Sequence, residues 1–385
     1  MNASTVTSPS SASTSLPPGA YVAALAGFRH MTVHRLAALL RHHDPDEAWL
    51  VALGEHPASG LIARVLADRD IRSAWRADTQ RRLPAAEWQR CAELGITVLW
   101  PSHAGYPALL LDDPLPPPVL FARGNLAVLD GRRVAIVGTR NATQAGRRFA
   151  RTLAGDLAQA GVHIVSGLAR GVDGSAHAGV VAADAPGRPI AVVGSGPDVV
   201  YPREHADLWA AVVNCGLLLS EAPPGSPPDA WRFPLRNRVV AALAEVVVVV
   251  ESRETGGSLI TASEALERGV PLMAVPGRPG NRAAAGVNQL LRDGAAPVLD
   301  AGDVLTVLQL EHSRQLAVSA DLRPRPRRED REVYRMLAVE PRTIDGVALA
   351  TGISLVEAAM RLARLEASGW VAQADGWFEC VGSPL

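Results

Sequence analysis

The middle of the chain alternates short apolar runs with longer amphipathic stretches. Runs such as Val134–Val137 and Val162–Val165 are mainly apolar, and each stops at a glycine or a serine. The stretch between them places Phe149, Leu153 and Leu157 four positions apart, which is the spacing of one face of a helix. Uninterrupted Val, Ile and Leu runs suit strands covered on both faces. The alternation predicts an α/β fold: a Rossmann-like, doubly wound and mostly parallel sheet.

Four more apolar runs extend the predicted sheet, and each ends in small or polar residues. They are Ile190–Val193, Leu217–Leu219, Val246–Val250 and Leu272–Val275. In a doubly wound sheet the ligand lies beyond the carboxyl ends of the strands. The loops that follow these strands are therefore the expected functional site.

The N-terminal flank has a different pattern. Residues 1–18 are rich in Ser and Thr and predict a disordered tail. Residues 19–90 show helical periodicity broken by turn signals, which predicts a small helical domain. The core domain is expected over 91–305, with a proline-rich lead-in at 91–131 that holds two short strands.

The C-terminal flank is predicted to be a linker followed by a small domain. Residues 306–328 end in an arginine-rich run and are expected to connect the two. Residues 329–385 contain three helical patterns and then a hairpin turned at Asp375-Gly376. Helices followed by a hairpin are typical of a winged-helix domain.

Two consecutive loops of the core carry an arginine after a glycine or serine turn. Arg140 follows the strand ending at Val137, and Arg170 follows the strand ending at Val165. A helix N-terminus offers free N–H groups and partial positive charge, and a guanidinium suits a phosphate. The loops do not match the GxGxxG motif. They also cannot form a Walker A motif, because that motif needs a lysine and the chain has none. They predict an arginine-edged anion site without a bound cofactor.

Two later segments extend this site. Phe233–Arg238 supplies two arginines and an amide, and the loop at Gly256–Thr261 offers backbone N–H groups at a helix start.

Asp173 and His177 lie one turn apart. They are interpreted as a helix-capping carboxylate and a buried histidine in preference to an acid–base pair.

Composition restricts the class of partner. The formal net charge is −1, so a polyanion site must be a local concentration of arginine. Three widely spaced cysteines form no zinc or disulfide pattern, and the apolar runs are too short to span a membrane. A cytoplasmic protein with no metal, no cofactor and no membrane contact is expected.

Several motifs together resemble one known family. They are VAIVGTRNAT from Val134, IVSGLARGVDGSAH from Ile164, FPLRNR from Phe233 and GGSLITA from Gly256. This series is similar to that of the DNA-processing protein A (DprA/Smf) family. The resemblance implies a sterile-alpha-motif-like helical domain and a non-enzymatic mediator of recombination in natural transformation. Such a protein binds single-stranded DNA, forms a homodimer, loads RecA and displaces single-strand-binding protein.

The resemblance also implies which residues line the DNA pocket. They are Gly138, Arg140, Ser166, Gly167, Arg170, Gly171, Arg236, Asn237 and Arg238. The loop patterns add Thr139, Gly194, Ser195, Gly196, Phe233, Gly256, Gly257, Ser258 and Thr261. No catalytic residue is expected among them.

Two other functions remain open from the sequence. The spacing of Gly256, Gly257, Thr261 and Glu264 is similar to that of nucleotide phosphoribohydrolases, in which Glu264 would assist N-glycosidic cleavage. Alternatively, the winged helix would bind duplex DNA in a transcriptional regulator whose core senses a nucleotide.

Overall fold

A computed structural model of the chain describes residues 16–308, 326–327, 329–338, 340–374 and 376–380. These residues belong to two compact units, the first of which ends at Leu308. Of the predicted tail, only residues 16–18 are described, and most of the predicted linker at 306–328 lies outside the described residues.

Six helices precede the sheet. They are α1 (Pro18–Ala26), α2 (Val33–His42), α3 (Pro45–Leu53), α4 (Gly60–Ala67), α5 (Arg69–Arg81) and α6 (Pro84–Glu93). Three of them begin with proline, whose fixed φ suits the first helical position. Their apolar faces enclose Trp49 and Trp75 and also pack against Phe121 of the sheet. The predicted boundary near residue 90 therefore crosses one continuous core.

The first unit contains a nine-stranded mixed sheet in the order β1-β2-β6-β5-β4-β3-β7-β8-β9. The strands are β1 (Ile96–Leu99), β2 (Leu120–Gly124), β3 (Arg133–Val137), β4 (His163–Ser166), β5 (Pro189–Val193), β6 (Leu217–Ser220), β7 (Val246–Val249), β8 (Leu272–Ala274) and β9 (Ala296–Pro297). All pairs from β6 to β9 are parallel, whereas β1–β2 and β2–β6 are antiparallel. The predicted mostly parallel, Rossmann-like sheet is confirmed.

Helices cover both faces of this sheet. They are α7 (Gln144–Gln159), α8 (Val172–Ala183), α9 (Ala206–Cys215), α10 (Arg232–Ala242), α11 (Gly257–Glu267), α12 (Ala285–Arg292) and α13, helical over residues 301–308. Alternate residues of β3 point to opposite faces. Val134 and Ile136 pack with α7 and α8, while Ala135 and Val137 pack with α10 and α11. Both faces are apolar, which explains the uninterrupted apolar runs in the sequence.

The strand order reverses between β3 and β7. From β3 the chain winds outward through β4, β5 and β6, and then returns to pair β7 with the other side of β3. The loops that leave β3 and β7 consequently lie side by side, and Thr139 N–H donates to Glu251 O at 2.7 Å. Such a reversal leaves a crevice at the carboxyl ends of the strands.

The second unit is a small helical domain with a three-stranded sheet. It contains α14 (Arg331–Leu337), β10 (Arg342–Thr343), α15 (Ile344–Thr351), α16 (Leu355–Ala367), β11 (Val371–Ala374) and β12 (Trp377–Cys380). The sheet order is β10-β12-β11, with antiparallel pairing. The three predicted helices and the hairpin are present, and the sequence missed the two-residue β10. Assignment to the winged-helix class stays a prediction.

Membrane-spanning potential is confined to one place in the described residues. No single helix is both long and apolar enough to cross a bilayer, but α15 and α16 together meet that test of length and composition. The two are bent by 113° relative to each other.

Candidate nucleic-acid interface

The reversal point of the sheet opens into a cleft of about 500 Å³, called here the loop cleft. The loops after β3 and β4 supply one wall, and the start of α10 supplies another. The segment from Arg253 to the first turn of α11 closes the third side. Sites of this volume bury a ligand the size of a nucleotide.

Arginine and aromatic side chains meet at the mouth of the loop cleft. The guanidinium Cζ of Arg140 lies 4.8 Å from the centre of the Phe233 ring. The Tyr201 ring is 5.5 Å from the same ring, centroid to centroid, and is 39 % exposed. A cation and aromatic rings held together in this way can contact both the phosphate and the base of a nucleotide.

Beneath the mouth lies a buried pair of opposite charges. Asp173 accepts a hydrogen bond from the Gly167 N–H at 3.2 Å, and Arg236 donates to the Val192 carbonyl. A Cβ at position 167 would overlap the Arg236 guanidinium, so only glycine leaves it room. Burial lowers the pKa of Arg236 to about 10, which keeps it protonated at neutral pH. Burial raises the pKa of Asp173, and nearby Arg236 opposes that shift.

The sequence led to the prediction that the helix after β3 presents a free N-terminus to a phosphate. This prediction is wrong. Thr143 caps α7 by accepting from the Gly146 N–H. Glu251, from the end of β7, accepts from the Thr143 N–H at 2.8 Å and from its hydroxyl at 2.6 Å. A carboxylate of the protein thus occupies the position that a ligand phosphate takes in a dinucleotide-binding sheet.

The start of α11 is different, because it has no side-chain cap. Gly256 and Gly257 line the loop cleft, and a Cβ at Gly257 would meet no atom within 4 Å. Asn237 holds this turn in place by donating to the Gly257 carbonyl at 3.4 Å. The first turn of α11 therefore offers backbone N–H groups to an anion in the cleft.

Asp173 and His177 do not form an acid–base pair. His177 is fully buried with its Nε2 3.3 Å from the Ile190 carbonyl oxygen, and burial lowers its pKa to about 4. The buried histidine was expected from the sequence. The capping role of Asp173 was not correct, because α8 has no side-chain cap and Asp173 instead binds the β4 loop.

The structure brings many of the predicted site residues into the loop cleft. Those that line it are Gly138, Thr139, Arg140, Gly167, Phe233, Arg236, Asn237, Gly256, Gly257, Ser258 and Thr261. Their contact with a nucleic acid stays a prediction.

Five other predicted residues lie behind the cleft wall. They are Ser166, Gly171, Gly194, Ser195 and Gly196. The hydroxyl of Ser166 donates to Ile136 O at 2.6 Å, and that of Ser195 donates to Val199 O at 2.7 Å. Gly171 has φ +78° and packs against the β3 loop, where a Cβ would overlap the Thr139 carbonyl. These residues shape the loops and do not face the cleft.

Arg170 and Arg238 are also outside the loop cleft, which corrects their expected position. Arg170 is exposed and forms an ion pair with Glu204. Arg238 is buried and forms an ion pair with Glu221. Residues two apart on a helix point about 200° apart, so Arg238 cannot share the cleft with Arg236.

Several lining residues had no assigned role in the site predicted from the sequence, and three of them have large side chains. Arg253 follows β7 and Tyr201 precedes α9, while Ile260 lies in the first turn of α11. The sequence could have indicated Arg253 as a site residue, because it lies just beyond the carboxyl end of a core strand. Tyr201 comes from a loop whose path the sequence does not specify.

The carboxylate needed for the hydrolase alternative, Glu264, lies outside the loop cleft. Glu264 forms an ion pair with Arg268, whose Nε also lies 2.6 Å from Asp113 Oδ2. Across the described part of the chain, no group of three His, Cys, Asp or Glu side chains is arranged to hold a metal ion.

Comparison with known proteins identifies the family. The family model described as DNA recombination-mediator protein A matches residues 97–309. The chain belongs to this family. The match covers the sheet, its helices and the loop cleft, and the family description names a mediator of recombination.

Individual relatives agree. The DNA processing protein DprA of Bacillus subtilis is 42% identical over 56% of this chain and 72% of its own. Protein Smf of Escherichia coli is 36% identical over 71% of this chain and 74% of its own. The X-ray structure of DprA from Streptococcus pneumoniae superposes with a TM-score of 0.63 at 29% identity, covering 76% of this chain and 98% of that one. The chain is thus a DNA-processing recombination mediator by family and by fold.

Proposed function

We propose that the loop cleft binds single-stranded DNA and that the chain thereby acts in recombination. The observation that supports this most directly is the cluster at the mouth, where Arg140 lies over Phe233 next to the exposed Tyr201. Three separate segments of the chain contribute these side chains, and α11 adds an uncapped helix start opposite them.

The chemistry favours a single strand over a duplex. An unpaired base can turn its face toward Phe233 while its phosphate reaches Arg140. In a duplex the base faces are already stacked on their neighbours, so the rings would gain no partner. Contacts to phosphates carry no sequence information, so little sequence preference is expected.

Membership of the family supports a proposal for the partners. We propose that the protein works in the cytoplasm as a homodimer, loads RecA onto the bound strand and displaces single-strand-binding protein. One cleft contacts only a short stretch of the DNA strand. Two clefts on one strand would raise affinity through effective concentration, which is the physical advantage of a dimer.

A salt series on labelled DNA tests the proposal. Fluorescence anisotropy is measured with a long oligothymidylate and with a duplex of the same length. If about three phosphates are neutralised in each cleft, log affinity should fall with log salt at a slope of roughly −2 for each cleft that the strand occupies. The single strand should bind more tightly at every salt concentration.

Equal or tighter binding of the duplex would overturn the proposal. So would a single-strand affinity that does not respond to salt, because it would exclude phosphate contact as the main source of binding.

A further inference from the structure

We propose that the bound strand leaves the loop cleft on the α12 side and that its phosphates enter a second groove there, called here the α12 groove. This inference rests on the proposed function, because it extends the path of the same strand. It assigns nucleic-acid contacts to a surface formed by the β8–α12 loop and α12.

The α12 groove has a volume of about 500 Å³, and most of the side chains that line it are polar or charged. Its cationic and amide side chains are Arg282, Arg292, Asn281, Asn288 and Gln289. Asn288 is fixed in place, since its amide both donates to and accepts from the Gly277 backbone at 3.0 and 3.1 Å. One carboxylate, Glu254, also lines the groove.

The groove adjoins the loop cleft. Arg253 lines the cleft and its neighbour Glu254 lines the groove, so one short loop separates the two cavities. The start of α12 is fastened to that loop, because the Gly286 N–H donates to the Ser252 carbonyl at 2.9 Å. A strand that crosses Arg253 therefore reaches the α12 groove next.

The direction of the DNA strand is inferred from which arginines have no carboxylate partner. Arg282 and its neighbour Arg278 are exposed and form no ion pair with any carboxylate in residues 16–308. Arg292 donates a hydrogen bond to the amide oxygen of Gln289 at 3.5 Å and pairs with no carboxylate in the same residues. These cations attract mobile counterions, and a phosphate that replaces those counterions gains the entropy of their release.

The cavity on the other side of α10 is larger, about 730 Å³, but three of its four arginines already form ion pairs, and the fourth, Arg236, is buried and donates to the Val192 carbonyl. Arg29 pairs with Asp78 at 2.9 Å, Arg82 with Glu87 at 3.1 Å and Arg232 with Asp229 at 3.2 Å. A paired arginine releases few counterions when a phosphate arrives. The DNA backbone is therefore drawn toward α12 and not toward this cavity.

The test compares a trinucleotide, which fills only the loop cleft, with a long oligothymidylate. The variant Arg282→Ala/Arg292→Ala is compared with Arg64→Ala/Arg69→Ala, which removes two exposed arginines of α4 and α5 that line neither cavity. With the long strand, the Arg282/Arg292 variant should flatten the slope of log affinity against log salt by about 1.4, at roughly 0.7 for each lost phosphate contact. Trinucleotide binding should not change.

An unchanged slope and affinity with the long strand would overturn the inference, as would an equal effect of the Arg64/Arg69 control. Trinucleotide binding by Arg140→Ala is measured in parallel. If that variant loses trinucleotide affinity while Arg282→Ala/Arg292→Ala is silent on the long strand, only the α12 path is wrong. If Arg140→Ala has no effect on either DNA, the loop cleft itself is not the binding site.

Discussion

The rim of the loop cleft (Arg140 and Arg253) and the buried layer beneath it (His177, Arg236 and Arg238) use similar side chains in opposite environments. The rim residues are exposed, whereas those of the buried layer are at most 6 % exposed. A rim guanidinium keeps its hydration until a ligand replaces it. A buried one has lost its hydration on folding and depends on protein partners. Rim substitutions should therefore change binding, and substitutions in the buried layer should change stability.

The largest expected effect is in the buried layer. Arg238→Ala removes the partner of Glu221 and leaves a buried carboxylate unpaired. The free energy of unfolding should fall by about 3–5 kcal/mol, measured by urea denaturation. The double variant Arg238→Met/Glu221→Leu should recover most of the loss, because two apolar groups replace the pair. A stable Arg238→Ala protein with weakened DNA binding would place Arg238 functionally at the rim.

Burial of His177 should also make the stability of the protein depend on pH. Its pKa is lowered by burial to about 4, against 6.5 for the unfolded chain. The unfolded state therefore takes up a proton at a higher pH than the folded state. The stability that neutral His177 provides is complete above about 6.5 and is lost as the pH falls toward 4, a change on the order of 3 kcal/mol.

The measurement for His177 is urea unfolding at several pH values between those limits. The wild type should lose more stability over this interval than His177→Gln, which cannot titrate. Parallel curves for the two proteins would mean that His177 is protonated in the folded state.

At the rim, Arg140→Ala should weaken single-strand binding by about 1–3 kcal/mol, the range for a lost hydrogen bond to a charged group. Its urea unfolding curve should match that of the wild type, because the Arg140 side chain is exposed. Lost stability in place of lost affinity would show that the rim and the buried layer are not functionally distinct.

The smallest effect is expected at Arg170. Its exposed guanidinium pairs with Glu204 and does not line the loop cleft. Arg170→Ala should leave both DNA affinity and stability unchanged within error in the same two assays. An Arg170→Ala defect as large as that of Arg140→Ala would mean that the loop after β4 rearranges onto the strand when DNA binds.

The strands of the core could be predicted because both faces of the sheet are covered. Val246–Val249 has no polar residue since each of its side chains is buried against a helix. The loops after β3 and β7 could also be placed near the site, because the carboxyl ends of parallel strands share one edge.

The sequence alone could not predict which side chains the arginines contact. Arg140 and Arg170 follow similar turns after neighbouring strands, yet one lies over Phe233 and the other beside Glu204. Each of these partners is more than 30 positions away in the chain, so no local pattern records it. The separation of Arg236 from Arg238 is different, because helix geometry alone predicts that they face apart.

The order of the strands has a consequence for synthesis. β2 pairs with β6, although Leu120 and Leu217 are separated by about a quarter of the chain. As the chain leaves the ribosome, the first helices and the β1–β2 hairpin emerge well before β6. Until β6 arrives, the inner edge of β2 has no hydrogen-bonding neighbour and can pair with another unfinished chain.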